Sequence, residues 1–205
     1  MMLEEVTAPD PGALPVAALR DHLRLGSGFE AAEDPAETAA LAGYLRAAIA
    51  IIEARIGKAL LARQFRLRLS RWRDPEGETL PLAPILAIER IEIEDGAGGV
   101  RLLDPASYRL LPDLHRPALL PLGTLLPAIP GGGSAVITFS AGFGAAWAQL
   151  PADVAQAVLF LAARYHEDRT FEGSEAAIPF GVSAMIERWR LVRVLGGRGN
   201  LRARA

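Results

Sequence analysis

Ala135-Val136-Ile137-Thr138-Phe139-Ser140-Ala141-Gly142-Phe143-Gly144, with Leu150-Pro151-Ala152-Asp153-Val154 close behind, is the stretch on which the fold turns. Ala135 to Phe139 reads as a strand, because β-branched and aromatic side chains suit a pleated, buried surface. Leu150-Pro151-Ala152-Asp153 then reads as a helix start, since proline costs nothing in the first turn, where no backbone donor is needed. Beyond it, Val154, Val158, Leu161 and Tyr165 share one helical stripe, while Leu159 and Phe160 lie off it. A helix apolar around so much of its girth is expected to be buried on several sides, with a neighbouring subunit completing the burial. On that expectation Phe160→Ala would cost ~3–5 kcal/mol.

Upstream of this switch the period is two. Phe65, Leu67 and Leu69 alternate with Arg66, Arg68 and Ser70, and Ile91 and Ile93 alternate with Glu92 and Glu94. Both patterns predict half-buried strands. Asp95-Gly96-Ala97-Gly98-Gly99 is a turn, Val100 to Leu103 its return strand, and Tyr108 to Leu111 a further strand. From Pro112 to Pro130 the prolines argue against a regular central strand. The leucines there (Leu119, Leu120, Leu122, Leu125 and Leu126) suggest a segment packed down on the core.

Further back the period becomes helical. Pro15 leads a first helix with Val16, Leu19 and Leu23 on one face, running to Leu25 and stopped by Gly26-Ser27-Gly28. Asp34-Pro35 starts a longer one with Leu41, Leu45, Ala48, Ile49, Ile52 and Ile56 at helical spacing, closed by Gly57. After a polar turn from His166 to Ser174, a last helix is expected from about Val182 to Val194.

Composition narrows the class. About half the 205 residues are hydrophobic and 22% are charged, which fits a globular protein with one substantial core or a main domain and a satellite. The N-terminus is acidic and has no apolar signal core, which argues against a cleaved leader. There is no cysteine, hence no disulfide or thiolate metal site. The net charge is −2, but six arginines and no acid follow Glu187, leaving −8 for the rest. Lys58 is the sole lysine, an arginine bias typical of a GC-rich genome.

Motifs for chemistry fail one after another. His22, His115 and His166 are scattered. His166-Glu167-Asp168 are consecutive, and consecutive helical residues point apart, so a solvated helix end is expected there. Gly57-Lys58 lacks the hydroxyl residue and the first glycine of a phosphate loop, having Ala59 and Ile52 in their places. Gly131-Gly132-Gly133 leads into a strand rather than a helix N-terminus, which makes it a turn. Ser140 lacks the flanking glycines of a nucleophile elbow. No catalytic residue, metal ligand or cofactor site is expected. The Arg-rich end has three readings: phosphate binding, docking on an acidic protein surface with Trp189 as an aromatic anchor, or a solvated basic tail.

Several of these landmarks, in order, resemble the adaptor proteins that join a tailed-phage portal to its tail. Pro15 to Arg24 is similar to the family's opening helix. Ile52-Glu53-Ala54-Arg55-Ile56-Gly57-Lys58-Ala59-Leu60, with Gln64 soon after, resembles the end of its second helix. Leu80-Pro81, Pro84, Ile88, Ile91 and the Asp95-Gly96 turn resemble its strand region, as does Tyr108. The stretch quoted first, from Phe139 to Val154, is the most specific match, and Arg164-Tyr165 and Ile178-Pro179-Phe180-Gly181-Val182 also fit. The likeness covers about residues 14 to 194. The Pro-rich stretch up to Pro130 departs from shorter family versions.

The resemblance implies an α+β protein, mainly helical, with a small antiparallel β-region inserted in a helical core. The corresponding segments are an acidic N-terminal arm (1–13), N-terminal helices (14–62), a β-rich region (63–149), C-terminal helices (150–194) and a basic mobile tail (195–205). Segments 14–62 and 150–194 would pack as one helical core. It further implies a non-enzymatic ring, twelve-membered in the particle, in the neck of a phage, prophage or gene transfer agent particle assembled in the bacterial cytoplasm. Its implied partners are further copies of itself, the portal protein, a tail-side stopper or terminator, and DNA passing without sequence-specific binding; no membrane is implied. Within the C-terminal helices, Phe180, Met185, Arg188, Trp189, Arg190 and Arg193 are the candidate partner-binding residues. A DNA-binding packaging accessory is the alternative, and an enzyme of unknown type a distant third.

Overall fold

The computed structural model describes residues 1–25, 34–167 and 178–190. They fall into two compact units. One holds Met1–Pro9 and Ala62–Gly142, the other Asp10–Leu61 and Phe143–Arg190.

The first unit is built of antiparallel strands: β1 (Met2–Glu5), β2 (Arg63–Leu69), β3 (Glu78–Thr79), β4 (Ile85–Glu94), β5 (Val100–Leu102), β6 (Tyr108–Leu111), β7 (Ala118–Pro121) and β8 (Ser134–Ala141). Five make a sheet in the order β1-β2-β8-β4-β5, and three make a second in the order β3-β7-β6. The period-two stretches occupy the central strands. Phe65, Leu67 and Leu69 are buried on β2, and Ile91 and Ile93 on β4. β8 is central, pairing β2 on one side and β4 on the other, and nearly all of it is buried. Phe139 stacks on the directly paired Phe65, ring centroids 5.9 Å apart.

Two sequence expectations change here. The described residues are not mainly helical: 37% of them are helix and 27% strand, with four α-helices against eight strands in two sheets. The β-region is therefore large. Short strands account for the underestimate, and β1 most of all, because Met2–Glu5 is exposed throughout and shows no alternation. The Pro-rich segment also does hold a central strand, β7. Its prolines sit at the ends. Pro117 offers its carbonyl to the Leu80 N–H, and Pro121 stands opposite Tyr108, so Ala118 to Leu120 keep their donors. Leu119, Leu120 and Leu126 are buried as expected, but Leu122 and Leu125 are exposed.

The triple glycine is explained by crowding. A side chain on Gly133 would meet the Glu94 carbonyl and the Asp95 backbone, so this turn packs directly on the Asp95–Gly99 turn. Glu78 is fully buried, and burial pushes its carboxyl above the usual range although the Arg73 N–H donates to it at 2.7 Å.

The second unit is helical: α1 (Val16–His22), α2 (Pro35–Ile56), α3 (Ala152–Glu167) and α4 (Phe180–Ile186), the last followed by a 3-10 turn at Glu187–Trp189. Asp34 caps α2 by accepting the Ala36 N–H at 2.9 Å, and Gly57 ends it in the left-handed conformation, φ 68°. All six residues predicted for its inner face are buried. They pack with Leu19 of α1, Val154, Val158 and Leu161 of α3, and Val182 and Ile186 of α4.

Phe160 departs from expectation. Its side chain is 41% exposed and tilts against His22, ring centroids 5.3 Å apart. A ring left this wet forfeits little on truncation. Phe160→Ala should lower stability by about 1 kcal/mol, well short of a buried phenylalanine; a denaturant titration would show a loss above about 3 kcal/mol if the ring were buried.

Candidate docking surfaces

The partner-binding residues chosen from sequence separate into two kinds. Met185 and Trp189 pack partly against the core in which Val182 and Ile186, one turn apart on α4, are buried. Trp189 is tied down from three directions. Its indole N–H donates to Asp153 Oδ2 at 2.8 Å. The Phe143 ring meets it edge to face at 5.4 Å. The Arg188 guanidinium lies over it at 4.7 Å while also reaching Asp153 at 2.8 Å.

Asp153 therefore anchors the C-terminal segment to the start of α3. Burial opposes its ionisation most, but hydrogen bonds from Trp189 and the Val154 N–H, with the Arg188 charge, together hold its carboxyl below the ordinary range. Sequence reading took Asp153 only as a helix-opening residue. The pairing of two residues 36 apart has no local signature, so its only legible trace was an acid at a helix N-terminus.

The remaining candidates point outward. Phe180 opens α4 and is 89% exposed, the most exposed large apolar side chain described. Arg188 keeps most of its side chain in solvent. Arg190 holds both Glu187 oxygens at 2.9 Å, a surface pair worth ~0–1 kcal/mol. Arg193 lies outside the described residues, as do Asp168 and the end of the last expected helix. His166, read from sequence as part of a solvated helix end, meets Tyr44 edge to face at 5.9 Å.

The C-terminal segment thus presents an exposed aromatic and a largely exposed arginine while being locked to its own core through Trp189. Among the described residues no helix is long and apolar enough to cross a membrane.

No protein-family model matches the chain, and no curated protein does. Solved structures do. The chain is 55% identical to one from the neck of an empty gene transfer agent particle computed with C6 symmetry, over 97% of this chain and 100% of that one, TM-score 0.87. It is 51% identical, over the same shares, to one from the neck of a native particle computed with C12 symmetry, TM-score 0.81. A third, from the virion of a native gene transfer agent particle, is 54% identical at TM-score 0.83, again over 97% and 100%. Identity above one half across nearly the whole of both chains preserves the sheet unit and the helical unit alike, and with the ordered landmarks from Pro15 to Val182 it establishes that the chain belongs to the head–tail connector (adaptor) family of tailed phages, prophages and gene transfer agents.

Proposed function

We propose that this chain is a non-enzymatic structural subunit of the neck of a phage-like particle, where copies of it form a ring between the portal and the tail and let DNA pass. The full-length likeness to chains from gene transfer agent necks carries this reading. The C6 and C12 symmetry of those necks supports a ring of many copies. The exposed Phe180 and Arg188, with Arg193 beyond, are the residues proposed to contact the portal, while a stopper or tail terminator closes the other side.

The charge distribution supports passage rather than capture of DNA. Outside the arginines that follow Glu187 the chain carries −8, and phosphate binding needs a basic face. Two measurements test the proposal. Co-produced with a portal protein from a gene transfer agent, the tagged chain should recover portal in a complex whose mass fits whole numbers of both subunits, and recovery of the chain alone would overturn the neck role. The chain lacking residues 195–205 should leave duplex DNA unshifted at physiological salt. Tight binding that falls steeply with salt would favour a DNA-binding packaging accessory instead.

A further inference from the structure

We infer that neighbouring copies of this chain join edge to edge through their five-stranded sheets, β5 of one copy adding to β1 of the next. The inference rests on the ring reading, and deepens it by naming the surface that closes the ring.

The sheet ends in two unlike strands, each with one side unpaired among the described residues. On β5 the backbone is aimed outward at known positions. The Leu103 N–H donates to Ile91 O and the Asp95 N–H to Gly99 O, both at 2.8 Å, and Arg101 stands opposite Ile93. Hydrogen-bonded pairs alternate along an antiparallel ladder. The intervening Val100 and Leu102 must therefore direct their N–H and C=O groups away from β4. On β1 the Val6 N–H donates to Gln64 O at 2.8 Å, and Glu4 stands opposite Arg66. By the same alternation Leu3 and Glu5 face outward.

The side chains match across the two edges. Val100 and Leu102 are 61% and 62% exposed, and Met2 and Leu3 are exposed as well. A short apolar edge with no lysine, proline or bulge is an aggregation template unless something covers it. Arg101 has no carboxylate partner among the described residues, whereas β1 carries Glu4 and Glu5. Both carboxylates are ion-paired within the chain, Glu4 to Arg66 and Glu5 to Arg63, yet stay 56% and 42% exposed, so each can also take the Arg101 of another copy.

Symmetry selects the occupant. A closed ring needs a heterologous contact, two different patches on each subunit that fit one another. Two dissimilar edges on opposite sides of one sheet meet that requirement. Strand addition supplies main-chain hydrogen bonds, and closure of the ring multiplies contacts that are individually weak.

The absence of cysteine makes the test clean. Leu3→Cys is combined in one chain with Val100→Cys or with Leu102→Cys, and the purified protein is oxidised at high concentration. The two edges lie about 19 Å apart across the sheet at ~4.8 Å per strand, too far for a disulfide within one chain. The double variants should give a ladder of covalent oligomers, equimolar mixtures of the single variants dimers only, and each single variant alone no more than monomer. Leu102→Pro, added to the Leu3→Cys/Val100→Cys chain, removes an outward donor without touching the β4 ladder and should abolish that ladder at an unchanged far-UV spectrum. Dimers from either single variant alone, or no cross-link with any pair, overturn the edge contact. Recovery with portal but without cross-links would overturn this contact and leave the neck role standing.

Discussion

Deleting residues 182–205 should lower the melting temperature of the helical unit by about 10 °C or more, or leave it insoluble. The cut removes Val182 and Ile186, both buried in the core shared by α2 and α3, together with the partly buried Met185 and Trp189. Each fully buried aliphatic is worth ~1.5–3 kcal/mol, so the loss reaches about 4 kcal/mol before Trp189 is counted. Whole-domain stabilities are only ~5–15 kcal/mol, and about 1 kcal/mol shifts the midpoint of a unit of about 100 residues by ~4–8 °C. Cutting after Arg190 should instead leave the midpoint within a few degrees, since the Asp153–Trp189 anchor survives. Calorimetry of the two truncations decides it, and a normal melt for the longer deletion would mean that the segment docks elsewhere and is dispensable to its own core. The anchor also has a pH signature. A carboxyl held below its ordinary range stabilises the fold above the unfolded pKa, and that contribution is lost as pH falls through the folded value. The gap between full-length protein and the Asp153→Asn variant should therefore narrow in acid.

Phe139→Ala should cost ~3–5 kcal/mol, the largest effect expected of any single substitution in the sheet. Phe139 has no exposed surface, sits on the central strand, and stacks on Phe65 across the β2–β8 ladder. Truncation leaves a void between strands paired on both sides, where the backbone ladder cannot collapse to fill it. Urea unfolding should show a lowered midpoint with an unchanged slope. A loss below about 1 kcal/mol would place the ring at the surface and break the register between β2 and β8.

Legibility in the sequence followed the range of the interaction. The bounds of α2 were readable because its cap at Asp34, its stop at Gly57 and its six-residue inner stripe are all local. The central strands β2, β4 and β8 were readable because burial on a sheet imposes alternation or a dense apolar run. β1 was not, since an edge strand exposed on every residue is held by its partner's backbone and by ion pairs such as Glu5–Arg63 at 3.0 Å. β7 was obscured because proline counts against strand in composition, while only its position within the strand decides whether a donor is lost.

Among the candidate docking residues, Met185 and Trp189, four apart in the last expected helix, were legible as one stripe, but its meaning was not. The same stripe serves a partner or a core equally well, and periodicity carries no information about what lies opposite.

By itself, then, the sequence determined the order of helices and strands, the caps and turns, the skewed charge, and, through the order of its landmarks, the connector family. These are short-range properties, set by each residue's backbone preference and by the need to bury one face of each element. Only the tertiary structure decided that the β-region is two sheets with eight strands, that Phe160 is wet, that Asp153 holds Trp189, and that Val100 and Leu102 turn bare backbone outward. Each depends on which distant segment a residue meets, and that is settled by the packing of the whole chain.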